Sequence, residues 1–164
     1  PMPSVASPWP APLRRRCIPE AIRRTLVDVE EIAFSDEKLG SGTFGEVWRA
    51  SYNGTPVAVK KLNRNRLDAA SLQAFKAEFE LQLSLRHPNV VMMLGGCWRT
   101  ADVTVCMVLE HCKGGNLQAA LRHEKAPLSW AGQRLPLAIG IARGMAYLHS
   151  QSPPIIHRDL KPDN

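Results

Sequence analysis

The sequence predicts an α+β fold, in which an antiparallel β-sheet carrying one long helix is followed by further helices. Two observations support this fold class. β-branched residues and tight-turn signals occupy residues 37–62, and helical periodicity occupies residues 68–86 and 136–149. Antiparallel strands joined by tight turns, together with separate helices, are typical of an α+β architecture.

Residues 1–31 are predicted to be a Pro- and Arg-rich linker that lacks stable structure. Prolines occupy positions 1, 3, 8, 10 and 12, and such a stretch buries too little apolar surface to fold alone. The basic run Arg14–Arg16 is better explained as solvated charge than as a lipid-facing patch, and the second interpretation stays open. Order is expected from residue 32 onward.

Composition and charge exclude several functional classes. The net charge is +6, and residues 1–24, with five arginines and the single acid Glu20, account for +4 of it. The rest of the chain is nearly balanced, which argues against a nucleic-acid-binding face. The four cysteines form no Cys-x-x-Cys pair, so reduced thiols in a cytoplasmic setting are expected rather than a zinc site. No apolar run is long enough to span a bilayer.

Three antiparallel strands are predicted between residues 37 and 62. Val47, Val57 and Val59 are β-branched residues, which strands favour. Asn53-Gly54 stands between two apolar runs and is a type I′ hairpin signal. Tight turns are therefore expected to join these strands.

A long helix is predicted over residues 68–86, because apolar residues recur there at steps of three and four. The stripe consists of Leu72, Phe75, Phe79 and Leu83. His87-Pro88-Asn89 ends this helix.

The remaining elements are shorter. Apolar runs predict strands at Val90–Leu94 and Val103–Leu109. A short helix is expected over Asn116–Arg122, after the Gly114-Gly115 break, and helical periodicity returns over residues 136–149.

Gly40-Ser41-Gly42-Thr43-Phe44-Gly45 matches the pattern G-x-G-x-x-G. In a dinucleotide-binding fold this pattern opens a helix, whereas here it leads into another strand, which argues against a dinucleotide-dependent oxidoreductase. The glycines therefore lie at a hairpin tip, where backbone N–H groups can approach phosphate oxygens with no Cβ in the way. Considered alone, the loop leaves a phosphate-binding hairpin and an unliganded hairpin equally open.

Lys60 ends the apolar strand that follows the glycine hairpin. From there its ammonium group can reach phosphates covered by the loop, although a lysine turned to solvent is the ordinary alternative. A lysine in this role needs a carboxylate to hold it. Glu78 is the candidate, on the family pattern given below, and its alternative is an ordinary surface acid such as Glu80.

The chain closes with His157-Arg158-Asp159-Leu160-Lys161-Pro162-Asp163-Asn164, which matches H-R-D-L-x-x-x-N. Together with the glycine loop and Val57–Lys60, in the same order and at compatible distances, this motif makes residues 34–164 resemble a eukaryotic protein kinase domain. Arg86–Val91 and Ile141–His149 resemble the tyrosine-kinase-like group, which includes Raf-like and mixed-lineage kinases.

The resemblance implies a protein-kinase-like fold and serine/threonine protein kinase activity. It places a partial kinase domain at residues 32–164, with an N-terminal lobe at about 32–111, a hinge at 110–113 and the start of the helical lobe at 114–164. Lys161 agrees with serine/threonine specificity, because tyrosine kinases usually have arginine or alanine at this position.

The same resemblance implies the roles of individual residues. Asp159 would accept the proton of the attacking hydroxyl, Lys161 would neutralise charge on the transferring phosphoryl group, and Asn164 would ligate Mg²⁺. Lys60 and its partner Glu78 complete the catalytic set. The ATP site is implied to consist of the glycine loop, the residues over the adenine ring and the hinge: Leu39, Gly40, Ser41, Gly42, Thr43, Phe44, Gly45, Val47, Ala58, Lys60, Leu109, Glu110 and Cys112.

The implied partners are ATP, Mg²⁺ and a protein substrate with serine or threonine, and an upstream activator is a further candidate. Nucleic acid is not expected, nor is membrane association of this segment. The expected location is cytoplasmic, or the cytoplasmic side of a membrane if the parent protein has an upstream transmembrane helix. The sequence stops before an Asp-Phe-Gly metal ligand and an activation loop, so the segment alone is expected to be inactive. A pseudokinase, or a truncated nucleotide-binding scaffold module, is the alternative to an active parent enzyme.

Overall fold

The structure, a computed structural model, describes residues 23–42, 45–62, 69–99, 104–122 and 129–164. These residues belong to two units. The first contains the chain up to Leu85 together with Met92–His111, and the second contains Arg86–Val91 and Cys112–Asn164. The division after His111 falls within the hinge that the sequence predicts at residues 110–113.

The first unit is built on a five-stranded antiparallel sheet with the order β1-β2-β3-β5-β4. Its elements are β1 (Ile32–Gly42), β2 (Gly45–Tyr52), β3 (Thr55–Leu62), helix α1 (Ala69–Ser84), β4 (Met93–Arg99) and β5 (Thr104–Glu110). The α+β prediction is confirmed. Asn53 and Gly54 both have positive φ, 48° and 76°, as a type I′ turn between β2 and β3 requires.

Apolar residues cover both faces of the sheet. On one face, Phe75 and Phe79 of α1 pack with Leu62, Met93, Val105 and Met107. Leu83 of the predicted stripe packs against this cluster, and the side chain of Leu72 lies outside the described residues. The opposite face is filled by Val29, Ile32, Ala50, Val57, Val59, Cys97, Cys106 and Val108. The period-two alternation along β3 and β5 places one set of residues under the helix and the other set on the far side.

Strand β4 differs from its prediction. The sequence places a strand at Val90–Leu94, whereas β4 begins at Met93 and continues through Gly95 and Gly96 to Arg99. Glycines weaken a strand unless another group approaches the backbone closely, and such groups are present here. A Cβ on Gly96 would lie 2.1 Å from a ring carbon of Phe79, and one on Gly95 would lie 2.6 Å from the carbonyl oxygen of Thr25.

Ordered structure begins upstream of Ile32, inside the segment predicted to be a linker. Leu26 forms a parallel bridge to Gly96, and a short 3₁₀ turn spans Val29–Glu31. The Asp28 side chain caps this turn by accepting a hydrogen bond from the Glu30 amide at 3.1 Å. The prediction for residues 1–22 lies outside the described residues.

Two of the cysteines, predicted to be reduced thiols, are joined in the structure. Cys97 of β4 and Cys106 of β5 are direct partners in the strand register and form a disulfide with a Cα–Cα distance of 5.0 Å. That separation lies within the range that a disulfide can bridge. No pattern in the sequence indicates this pairing, because it depends on which residues stand opposite each other across the two strands.

The second unit consists of helices α2 (Leu117–Leu121) and α3 (Leu135–His149), a π-helical turn at Trp130–Arg134, and the segment that ends at Asn164. Asn116 caps α2 through its side chain, which accepts from the Ala119 amide at 2.8 Å. Residues 86–91 dock on α3, where the hydroxyl of Tyr147 accepts a hydrogen bond from the Arg86 amide at 2.9 Å. Close approach explains Gly144, because a Cβ there would lie 2.7 Å from the Asn89 carbonyl oxygen.

In the part of the chain that the structure describes, no helix combines the length and the apolar character needed to cross a membrane.

Candidate active site

The glycine motif lies at the tip of the β1–β2 hairpin, where Gly42 pairs with Gly45. Its glycines serve different purposes. A Cβ on Gly40 or Gly42 would meet open space, whereas one on Gly45 would lie 1.9 Å from the carbonyl oxygen of Lys61 on β3. Gly45 is therefore required by the close pairing of β2 and β3, while Gly40 and Gly42 leave backbone exposed at the tip. Ser41 is exposed, and Thr43 and Phe44 lie outside the described residues.

Charged pairs across β1 and β2 hold the base of this hairpin. Lys38 Nζ lies 2.7 Å from Glu46 Oε1, and the Trp48 indole N–H donates to Glu46 Oε2 at 3.2 Å. The Lys38 ammonium, with the Trp48 donor, holds the pKa of the Glu46 carboxyl below its ordinary value. Both partners of the ion pair are exposed, so we assign it a role in alignment and little energy.

Lys60 and Glu78 meet as the resemblance implies. Lys60 Nζ, on β3, donates to Glu78 Oε1, on α1, at 2.5 Å. The lysine side chain is 22% exposed and the glutamate 42% exposed, so the pair is partly shielded but open to a ligand. Phe75 and Phe79, buried on either side of Glu78 along α1, fix the face of the helix that points at β3. The ion pair therefore joins the glycine hairpin's neighbouring strand to the helix.

The predicted adenine-lining residues project from one face of the sheet. In the register, Val47 stands opposite Lys60, and Ala58 stands opposite Leu109. Directly opposed residues of antiparallel strands point to the same face, and so do residues two apart on β3. Val47, Ala58, Lys60 and Leu109 consequently share a face. Leu39, on β1, is 39% exposed.

Glu110, the last residue of β5, forms two hydrogen bonds to Met92, which directly precedes β4. The Glu110 amide donates to the Met92 carbonyl at 2.9 Å, and the Glu110 carboxylate accepts from the Met92 amide at 2.7 Å. One residue thus satisfies both backbone groups of Met92 where the β4–β5 ladder begins. The resemblance places Glu110 in the hinge part of the ATP site and does not indicate this side-chain role. Cys112, in the second unit, is exposed.

The catalytic-loop residues form a cluster around Asp159. Lys161 Nζ lies 3.0 Å from Asp159 Oδ2, and the Asn164 amide group donates to the same oxygen at 2.7 Å. The side-chain amide of Asn164 also donates to the backbone carbonyl oxygen of Asp159 at 2.8 Å. Lys161, and after it Asn164, hold the pKa of the Asp159 carboxyl below its ordinary value. Asp159 is therefore a carboxylate at neutral pH.

The backbone around Asp159 has two further features. Arg158 has φ +65°, a left-handed conformation that is uncommon for a residue other than glycine and that concentrates at functional sites. The backbone N–H of Gln118, in the first turn of α2, donates to the Pro162 carbonyl at 2.9 Å. Helix α2 thus supports the loop between Lys161 and Asn164, a role with no signature in the sequence.

The sequence model of the family described as protein tyrosine and serine/threonine kinase matches residues 34–164. The chain belongs to the protein kinase family. The matched range is the one over which the sequence resembles such a domain, so the family prediction is confirmed.

Three relatives illustrate this membership. The chain is 42% identical, over 138 residues, to the probable serine/threonine-protein kinase drkD of Dictyostelium discoideum, covering 84% of this chain and 10% of that protein. It is 38% identical, over 159 residues, to the serine/threonine-protein kinase VIK of Arabidopsis thaliana, covering 96% of this chain and 34% of the relative. To the serine/threonine-protein kinase CTR1 of the same plant it is 35% identical over 167 residues, covering 97% of this chain and 20% of the relative. The chain thus spans between a tenth and a third of the length of these relatives.

Protein kinases as a family use ATP and a divalent metal ion, and they act on protein substrates. In this chain the resemblance assigns such roles to Lys60, Glu78, Asp159, Lys161 and Asn164.

Proposed function

We propose that the protein transfers the γ-phosphate of ATP to serine and threonine hydroxyls of protein substrates. The observation that carries this proposal is the Lys60–Glu78 ion pair, on the strand that follows the glycine hairpin. A lysine held by a carboxylate, beside a loop that exposes its backbone, is suited to orient a nucleotide's phosphates.

Glu78 contributes by fixing the position of its partner. A lysine side chain has four rotatable bonds, and its freedom is lost when it binds phosphate. The Glu78 carboxylate holds the ammonium group beforehand, so less ordering remains for the bound nucleotide. Because the glutamate is partly exposed, the lysine can share its donors between this carboxylate and phosphate oxygens.

Asp159 serves as the acceptor of the substrate's hydroxyl proton. Among the described residues, both side-chain contacts of Asp159 go to Oδ2, so Oδ1 is the oxygen that can face a hydroxyl. The lowered pKa of the Asp159 carboxyl keeps this acceptor ionised. Lys161, 3.0 Å from Oδ2, places a positive charge beside the transfer position.

Asn164 fits the role of a magnesium ligand. Its amide nitrogen donates to Asp159, which turns the amide oxygen, a hard donor, away from that carboxylate. In the described residues no group of three or more His, Cys, Asp or Glu side chains could hold a metal, and Mg²⁺ in phosphoryl-transfer sites needs few protein ligands besides phosphates and water. Bound Mg²⁺ supplies neutralisation of the phosphate charge.

Serine and threonine are proposed as acceptors on two grounds. The relatives named above are called serine/threonine-protein kinases. Lys161 stands two residues after Asp159, and its ammonium contacts the Asp159 carboxylate.

A cytoplasmic location and an upstream activator are parts of the same proposal. Disulfides are rare in the cytosol, so the redox state of Cys97 and Cys106 in cells tests the location. Because the structure joins these two cysteines, the cytoplasmic proposal requires that the bond be reduced in cells, and cells quenched in acid and alkylated at once should then yield both cysteines as thiols. Recovery of the pair as a disulfide would count against the cytoplasmic proposal.

The acceptor proposal is tested by incubating the full-length protein with γ-labelled ATP, Mg²⁺ and two peptide libraries that differ in offering serine and threonine, or tyrosine. Label is expected on the serine and threonine library. Label confined to the tyrosine library would contradict the acceptor class and leave phosphoryl transfer standing.

A further inference from the structure

The segment Thr25–Val29, here called the N-terminal brace, binds the β4 edge of the sheet. β4 is one of the two outer strands, and the brace forms hydrogen bonds to the backbone of Gly96 on this strand. The Gly96 amide donates to the Thr25 carbonyl at 3.1 Å, and the Val27 amide donates to the Gly96 carbonyl at 2.9 Å. The brace thus acts as a short additional parallel strand.

The brace also fills the face of the sheet opposite α1. Val29, 9% exposed, belongs to the far-face core, and Val27 packs against that core. A Cβ on Gly95 would meet the Thr25 carbonyl oxygen and, at 3.0 Å, a methyl carbon of Val27. The brace therefore contacts β4 through both its edge and its far face.

On the near face, the same glycine pair touches the helix that carries Glu78. The ring of Phe79, 2% exposed, lies so close to Gly96 that even a methyl group would overlap it. Phe79 directly follows Glu78 in α1. The backbone of Gly96 therefore lies between the brace, which forms hydrogen bonds to it, and Phe79, the residue that follows Glu78.

We propose that the N-terminal brace positions α1, and with it Glu78 against Lys60, by fixing β4 at Gly96. This inference rests on the proposed function, since the ion pair matters for phosphoryl transfer. Packed interiors transmit displacement because they contain few voids. When the brace is bound, β4 is held between Thr25–Val27 and Phe79, and α1 has one position against it. When the brace is released, β4 becomes an unsupported edge, and Phe79 loses the surface that sets the position of Glu78.

Through the brace, the segment upstream of the kinase domain can change the position of Glu78 relative to Lys60. Whatever alters the pairing of Thr25 and Val27 with Gly96 alters the position of Glu78. Thr25, Leu26 and Val27 are therefore positioning residues, acting through Gly96 and Phe79 and not by contact with the nucleotide.

The test compares two deletions in the full-length protein. Deletion of residues 1–22 leaves the brace in place, whereas deletion of residues 1–27 removes its bonds to Gly96 and spares the Asp28 cap. Hydrogen exchange of α1 peptides over residues 73–84 is expected to accelerate in the longer deletion alone. In the longer deletion, the rate of phosphoryl transfer is expected to fall by about tenfold, within the range of ordinary coupling between sites.

Ile32→Val is the control variant, because it reduces the far-face core without touching Gly96. It should lower the melting temperature and leave the rate unchanged.

The route through Glu78 is tested by a double-mutant cycle. In a Glu78→Gln background, removal of the brace should cost little further rate. Should the longer deletion fail to fold, Val27→Pro replaces it, because this change removes the amide donor to Gly96 while the rest of the segment stays in the chain.

Unchanged α1 exchange, or a full tenfold loss in the Glu78→Gln background, would overturn the inference. Because exchange is measured without turnover, a failure of the proposed kinase activity is separated from a failure of the brace.

Discussion

Lys60 on β3 and Glu78 on α1 are joined by a charge-assisted hydrogen bond of 2.5 Å, which links the strand next to the glycine hairpin to the helix behind it. The two residues are 18 positions apart, and strand and helix meet there because Leu62, Phe75 and Phe79 bury their side chains together. The apolar core thus sets the geometry of the ion pair.

Replacement of Lys60 by methionine is expected to abolish measurable phosphoryl transfer while the fold persists. Loss of one preorganised charge of this kind costs about 10²–10³ in rate. Lys61→Met is the matched control, because the Lys61 ammonium lies over the Phe34 ring, 3.4 Å from its centroid, and not at the ion pair. Transfer rates and melting curves of both variants check this. A Lys60→Met protein that retains turnover would refute the role assigned to this lysine.

The Asp159 carboxyl is expected to titrate below the ordinary aspartate pKa in the wild type, and closer to that value in Lys161→Met. The reason is that Lys161 is the largest cause of the lowered pKa. A lowered pKa stabilises the folded state above the unfolded pKa, and this contribution is lost as pH falls through the folded pKa. Carbon-13 NMR of the Asp159 carboxyl gives both titrations. Coincident curves would contradict the assignment of Lys161 as the cause.

Gly45→Ala is expected to destabilise the protein more than Gly42→Ala does. The new Cβ at position 45 would lie 1.9 Å from the Lys61 carbonyl oxygen, whereas the one at position 42 would enter open space. Forced overlap in a packed region typically costs about 1–3 kcal/mol. Urea denaturation of the two variants measures this difference. Equal midpoints would show that β2 and β3 are not in the close contact described.

Glu110→Ala is expected to weaken binding of an ATP analogue a few-fold, while Glu110→Gln largely preserves it. The alanine leaves the Met92 amide without the acceptor that now lies at 2.7 Å, whereas the glutamine oxygen can still accept. The loss of such a bond in a partly exposed place is worth about 1 kcal/mol. Titration of a fluorescent ATP analogue measures both constants. Equal affinity of the two variants would show that the hydrogen bond between Glu110 and the Met92 amide does not contribute to ATP binding.

The sheet hairpins and the long helix are predictable from the sequence because they depend on local patterns, whereas the candidate site residues follow from the resemblance to protein kinases and stay a prediction. Alternation and the Asn53-Gly54 turn predict β2 and β3, and the Phe75–Phe79 spacing predicts α1. The extent of β4 was not predicted, because Gly95 and Gly96 weaken a strand when they are considered locally. The close contacts of Phe79 and Thr25 with these glycines appear only in the folded chain.

Residues 23–31 were assigned to the linker for a similar reason. Their composition carries no strand pattern, and their order comes from pairing with Gly96, which lies about 70 residues further along the chain. The Cys97–Cys106 pairing likewise depends on register. Tertiary contacts of this kind cannot be read from a local window.

The most direct test of the proposed kinase activity compares the wild-type full-length protein with its Asp159→Asn variant for transfer of labelled phosphate from ATP to a serine-containing peptide. ATP affinity is measured in parallel, and the wild-type protein is expected to transfer phosphate. The variant should be slower by at least about 10²-fold, the lower end of the contribution of a general base, with similar affinity for ATP. A wild-type protein that binds ATP and transfers nothing, or a variant that transfers at the wild-type rate, would contradict the proposal.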